Sequence, residues 1–254
     1  MRLLLASLIG ASLCVPAMAQ DDDWEKKRDR FLRPESMVGT RFKQEPETAS
    51  ETDSRQMQQR LAKCVYFDSM EELDTLLANS DFERIDFSAT AFEPGEFFDD
   101  IDFSRCIGRA MKSSHYKMMV SMNYSTLRNL LVEEAYNHAN KRAPVREEGA
   151  PLLVADRFAY TRGGPRAQVM AEVSDCISYR RPDLAHTFLD ARPGTSNETE
   201  ALEALYPTLL TCLETDDAGN LSTSLVRRMV ADGMWARSYH GAFAAAETET
   251  ADAE

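Results

Sequence analysis

Among the residues of this chain that could do chemistry are four histidines, five cysteines, an acidic cluster and a methionine-rich stretch. A serine or cysteine nucleophile needs a base within reach, and the histidines available are His115, His138, His186 and His240. There is no G-x-S-x-G elbow, H-E-x-x-H, phosphate loop or G-x-G-x-x-G fingerprint. Gly163-Gly164 reads as linker. Asp99, Asp100 and Asp102, with Glu93 and Glu96 upstream, carry enough carboxylate for calcium or acid–base work. They are interleaved with Phe97, Phe98, Ile101 and Phe103, however, and that spacing predicts a packed helix with an acidic outer face. Met111, His115, Met118 and Met122, with Met119 between, offer soft ligands suited to copper(I) on one helical face. The same spacing describes a core stripe in which methionine fills gaps. No cofactor, metal or catalytic residue is assigned on these patterns.

The cysteines point to architecture instead. Met1 and Arg2, the apolar run Leu3 to Pro16, and Ala17-Met18-Ala19 before Gln20 have the form of an export signal cleaved at Ala19/Gln20. Cys14 would leave with it, and Leu13 ahead of Cys14 is the wrong residue for lipidation. Cys64, Cys106, Cys176 and Cys212 remain, and an even count in an exported chain predicts disulfides. No two lie close enough to form the C-x-x-C pairs of a zinc site. Four cysteines allow three pairings, and a repeated pattern selects one. Leu61, Ala62, Lys63, Cys64 and Val65, continuing to Leu76 and Leu77, recur at an offset of 112 as Val173, Ser174, Asp175, Cys176 and Ile177, continuing to Phe188 and Leu189. After a second cysteine, Ser125, Arg128, Leu130, Leu131, Glu133 and Tyr136 recur at an offset of 99 as Ser224, Arg227, Met229, Val230, Asp232 and Trp235. If each copy is a folded unit, Cys64 pairs with Cys106 and Cys176 with Cys212, each bridge contributing about 4 kcal/mol in the chain-entropy model.

The segments Ser174-Asp175-Cys176-Ile177 through Leu189, Leu205 to Leu213 and Leu225 to Trp235 resemble the repeat unit of exported alphaproteobacterial proteins of unknown function. The resemblance extends over most of residues 55 to 240 and implies no activity.

Apolar periodicity completes the expectation: an all-α chain of two similar four-helix units, each stapled by one disulfide. Residues 1–19 form the signal, 20–53 a polar, acidic arm, 54–141 the first unit, 142–165 a linker, 166–240 the second unit and 241–254 an acidic tail. Single helices are expected over Phe97 to Met111 and from a Ser125 or Thr126 cap to Tyr136. Arg128 and Arg227 each precede an acidic residue by five positions, a spacing that does not face on one helix, so these charges are expected to pair between helices. Tyr136 and Trp235 are expected as aromatic anchors. A net charge of −13 opposes nucleic acid and anionic membranes, and no mature segment is apolar enough to span a bilayer. The expected function is a non-catalytic interaction or scaffold protein of the periplasm or envelope, with an unknown protein or envelope partner. The alternative is an enzyme or a small-ligand or metal carrier with its site between the units.

Overall fold

A computed structural model describes residues 49–111, 122–154, 164–217, 219, 221–241 and 243–244. The signal, most of the arm and tail, and His115, Met118 and Met119 of the possible copper cluster lie outside the described residues. The described chain is all-α, with nine helices. They are α1 (Glu51–Asp68), α2 (Met70–Ala78), α3 (Phe97–Asp100), α4 (Phe103–Met111), α5 (Tyr124–Ala139), α6 (Pro165–Arg180), α7 (Pro182–Asp190), α8 (Ser196–Leu213) and α9 (Thr223–Tyr239). Two-residue strands β1 (Val145–Arg146) and β2 (Phe243–Ala244) pair antiparallel. No helix among the described residues is long and apolar enough to cross a membrane.

Local chemistry explains the helix ends. The Ser50 hydroxyl accepts from the Asp53 amide at 3.0 Å, with Glu51 and Asp53 in the first turn, so α1 starts ahead of its apolar period. Asn123 caps α5 by accepting from the Thr126 amide at 2.8 Å, two residues before the expected serine. Ser222 caps α9 in the same way, accepting from the Leu225 amide. Pro182 occupies the first turn of α7, where its missing N–H costs nothing.

The helix expected over Phe97 to Met111 is two. Ile101 and Phe103 are both buried although they are two positions apart, a spacing one helical face cannot satisfy. The chain turns between them at Asp102, whose φ of 49° is left-handed, a region that aspartate tolerates better than most residues. Glu93, Glu96, Asp99, Asp100 and Asp102 are all exposed.

One hydrophobic core runs through both halves, from Leu61, Val65, Leu76 and Leu131 to Ile177, Phe188, Leu205 and Val230. In the first half α1 packs on α4 and α5; in the second α6 packs on α8 and α9; α5 against α9 joins them. Disulfides follow the same plan. Cys64–Cys106 ties α1 to α4 across 42 positions and Cys176–Cys212 ties α6 to α8 across 36, each loop contributing about 4 kcal/mol by the chain-entropy estimate.

The most extensive helix contact, α6 on α9, depends on Gly233. A Cβ there would lie 2.2 Å from the carbonyl oxygen of Ser174, a backbone atom that cannot move aside without shifting a helix. Gly233→Ala is therefore expected to lower stability by about 1–3 kcal/mol through overpacking, despite alanine's better helix propensity. Gly108→Ala in α4 is the control, because its Cβ meets nothing within 4 Å, and it should gain up to about 1 kcal/mol. Urea unfolding of both variants measures the contrast.

Candidate functional site

The repeated arginines meet the acidic residues of the opposite half. Arg128 on α5 pairs with Asp232 on α9, and Arg227 on α9 pairs with Glu133 on α5 at 2.7 Å. The early residue of each helix meets the late residue of the other, so α5 and α9 run antiparallel. All four side chains are buried, Arg128 at 1% exposure and Asp232 at 0%. A buried guanidinium is tolerable only when its N–H groups are satisfied. The Nε of Arg227 donates to both oxygens of Glu133, at 3.1 and 3.0 Å. Its Nη1 and Nη2 reach the carbonyls of Phe188, Leu189 and Ala191 at 2.7–2.9 Å, where α7 ends with unsatisfied acceptors. Arg128 treats the end of α2 similarly: its Nε donates to the Ser80 hydroxyl at 2.8 Å and its Nη2 to the Ser80 carbonyl at 3.3 Å.

Arg227 also reaches Glu198, at 3.1 Å, in the first turn of α8. Glu198 accepts from the Gly194 amide at 2.7 Å and pairs with Arg55 of α1. Gln59 adds a donor to Glu133 at 3.2 Å. Two guanidinium groups, Arg55 and Arg227, are thus balanced by two carboxylates, Glu133 and Glu198.

Beside this lattice opens a cleft lined by Arg55, Gln58 and Gln59 of α1, Leu130, Glu133 and Glu134 of α5, Pro193, and Ser224, Arg227 and Arg228 of α9. Its enclosed interior is about 30 Å³, within about 390 Å³ of space that includes its open mouth. Two of its charges have no partner among the described residues: Arg228 makes no ion pair or hydrogen bond, and neither does Glu134, at 7% exposure. Burial raises the Glu134 carboxyl to about 7, helped by Glu133 and opposed by Lys63, Arg227 and Lys141. Burial and the neighbouring Arg55 pull Arg228 below the ordinary arginine value, against Glu133. Burial likewise lowers Arg128, to about 10, while Asp81 opposes. For Arg227 burial acts in the same direction but is more than offset by Glu133 and Glu198, which hold it above the arginine value.

Two residues of the cleft fall at positions where the offset of 99 does not hold. Arg228 falls opposite Asn129, whose amide donates to the Phe82 carbonyl at 3.0 Å, and Glu134 falls opposite Gly233. Glycine lets α9 approach α6 closely, whereas a glutamate at the matching position of α5 occupies the space between α5 and α1.

The remaining sequence candidates have structural surroundings. The Tyr136 hydroxyl lies 2.8 Å from Nδ1 of His186, whose pKa burial lowers against Asp190. Trp235 stacks on Tyr239 at 5.1 Å and lies 6.0 Å from the Arg128 guanidinium. Met111 and Met122 pack against the core. Cys64, Cys106 and Asp68 place two sulfurs and a carboxylate within 4.8 Å, but the sulfurs are joined in a disulfide and offer no thiolate. Asp68 is held by Arg105 and Arg109 at 3.0 and 2.9 Å. A second depression, about 420 Å³, runs beside Cys176–Cys212 and is walled by Leu152, Leu153 and Val169.

Sequence reasoning singled out Arg128, Glu133, Arg227 and Asp232 but passed over Arg55, Glu134, Glu198 and Arg228. For Arg228 and Glu134 a signal existed: each adjoins one of the aligned charges and is itself charged where the other copy has an uncharged residue.

Arg128→Ala is expected to cost about 3–5 kcal/mol, because Asp232 stays buried without its cation. Arg128→Met combined with Asp232→Leu should cost less than the two single changes together, a coupling that a double-mutant cycle in urea reads directly. Glu134 gives a pH signature. Its folded value of about 7 exceeds the ordinary glutamate value of 4.5, so the folded state keeps a proton that the unfolded chain loses. As pH rises from about 4.5 to about 7 this group removes about 3 kcal/mol of stability. Glu134→Gln should abolish that slope and be the more stable protein at pH 8, measured by unfolding across the range. No family model, no curated protein and no solved structure matches this chain.

Proposed function

We propose that this protein is a non-catalytic binding protein of the cell exterior, a stapled helical scaffold whose two halves arose by duplication and whose working surface is the cleft at their junction. One observation carries the reading. The buried charges of the lattice are neutralised across the junction, while Arg228 and Glu134, on the same cleft, are not. Glu134 is buried and Arg228 half-buried; a charge partly withdrawn from water without an ion-pair partner costs stability, and a binding site is a place where that cost has a use. Two disulfides and the export-type N-terminus support an oxidising compartment outside the cytoplasm.

A second reading has its own support: a carboxyl poised near pH 7 in a cleft suits acid–base catalysis. The two part on what happens to a guest. Native mass spectrometry of residues 20–254, exported by a bacterial host and incubated with a low-molecular-weight extract of that host, should show a chain four hydrogens lighter than its reduced mass. It should retain a small organic guest unchanged, and Arg228→Gln should lose it. Release of a chemically altered guest would favour the enzyme. Stoichiometric copper or zinc, four free thiols or no retained guest would overturn the proposal.

A further inference from the structure

Resting on that reading, we propose that the cleft receives a small zwitterion, with its carboxylate on Arg228 and its ammonium on Glu134. The two unpartnered groups have opposite sign and stand on different helices, α9 and α5, around one opening. They do not neutralise each other, because no ion pair joins them. A guest with a single charge would leave one of them uncompensated and would add its own desolvation. A guest with both charges satisfies both. Arg228 offers a planar fork suited to a carboxylate. Ser224, in the first turn of α9, adds a hydroxyl at the helix end that favours negative charge. Glu134 faces Arg60 and Lys63 from α1, Arg227 from α9 and Lys141 beyond α5, with Glu133 beside it, and none of these pairs with it. The enclosed interior of about 30 Å³ has room for about one water, so the guest lies in the open mouth, between the two charges.

The local break in the repeat points the same way. A core needing only stability is served by the residues that recur in both halves. Arginine in place of asparagine and glutamate in place of glycine put both charges on this cleft, where the matched positions of the other half carry none. Because Glu134 is held up by burial, an arriving ammonium would draw its proton off. Binding near pH 7 should therefore release protons, and the measured heat should depend on the buffer's ionisation enthalpy.

The test is titration of the oxidised protein with glycine, β-alanine, 4-aminobutyrate and 5-aminopentanoate, alongside acetate and methylammonium, by calorimetry and ligand-observed NMR. One amino acid, its length reporting the span between the charges, should bind about tenfold or more tighter than either single-charge probe. Arg228→Gln and Glu134→Gln should each reduce it to the single-charge level, and Arg228→Lys should retain part of the affinity, with cooperative melting of each variant at or above the temperature of the parent protein showing that the fold persists. Equal binding of acetate and the amino acids, indifference to Glu134→Gln, or no saturable binding across the series would overturn the proposal. If the extract-derived guest still binds and Arg228→Gln still removes it, this inference falls while the binding-protein reading stands.

Discussion

The burial of two arginines at the crossing of α5 and α9 is the constraint on which the rest of the molecule depends. A guanidinium withdrawn from water is costly unless its donors are met, and no single element here supplies enough acceptors. Arg227 takes a carboxylate from α5, a second from α8 and three carbonyls from the end of α7. Arg128 takes its carboxylate from α9 and two oxygens from Ser80, beyond α2. Sliding one helix along the other would strand both pairs together. The ion pairs therefore set register and direction more than they add stability, the role for which buried charge is best suited.

Around this crossing the two halves share some features and differ in one that matters for the site. Both place a disulfide between the first helix and the one carrying the second cysteine, and both use an arginine to satisfy oxygens at a helix end. The second half closes tightly because Gly233 lets α9 meet the backbone of α6 at Ser174 without an intervening Cβ. The first half carries Glu134 at the matching position, and a cleft borders it. Close packing makes such a difference all or none: a methyl group in the wrong place separates helices, and the space left over is filled or becomes a site.

Much of the architecture was legible in the chain. Apolar periodicity located the long helices, since one buried face on a helix repeats every three to four residues. The repeat placed the cysteines in the pairs that the structure joins. Less legible were Asp102, where the expected helix breaks because two nearby apolar residues both go inside, and Asn123, whose capping hydrogen bond outranks the serine and threonine just after it. These depend on competition among neighbours of similar local propensity, which position along the chain does not rank.

The site divides along the same line. By itself the sequence determined the inventory: helices with apolar faces, four paired cysteines, and two arginines spaced so that they could not meet their acidic companions within one helix. Only the tertiary structure decided which carboxylate each arginine took, that Glu198 and Arg55 would join them, and that Arg228 and Glu134 would stand on one cleft without ion-pair partners among the described residues. The reason is physical. Pairing along a helix follows from spacing, but pairing between helices follows from the angle and depth at which they cross, and those are set by the whole core at once.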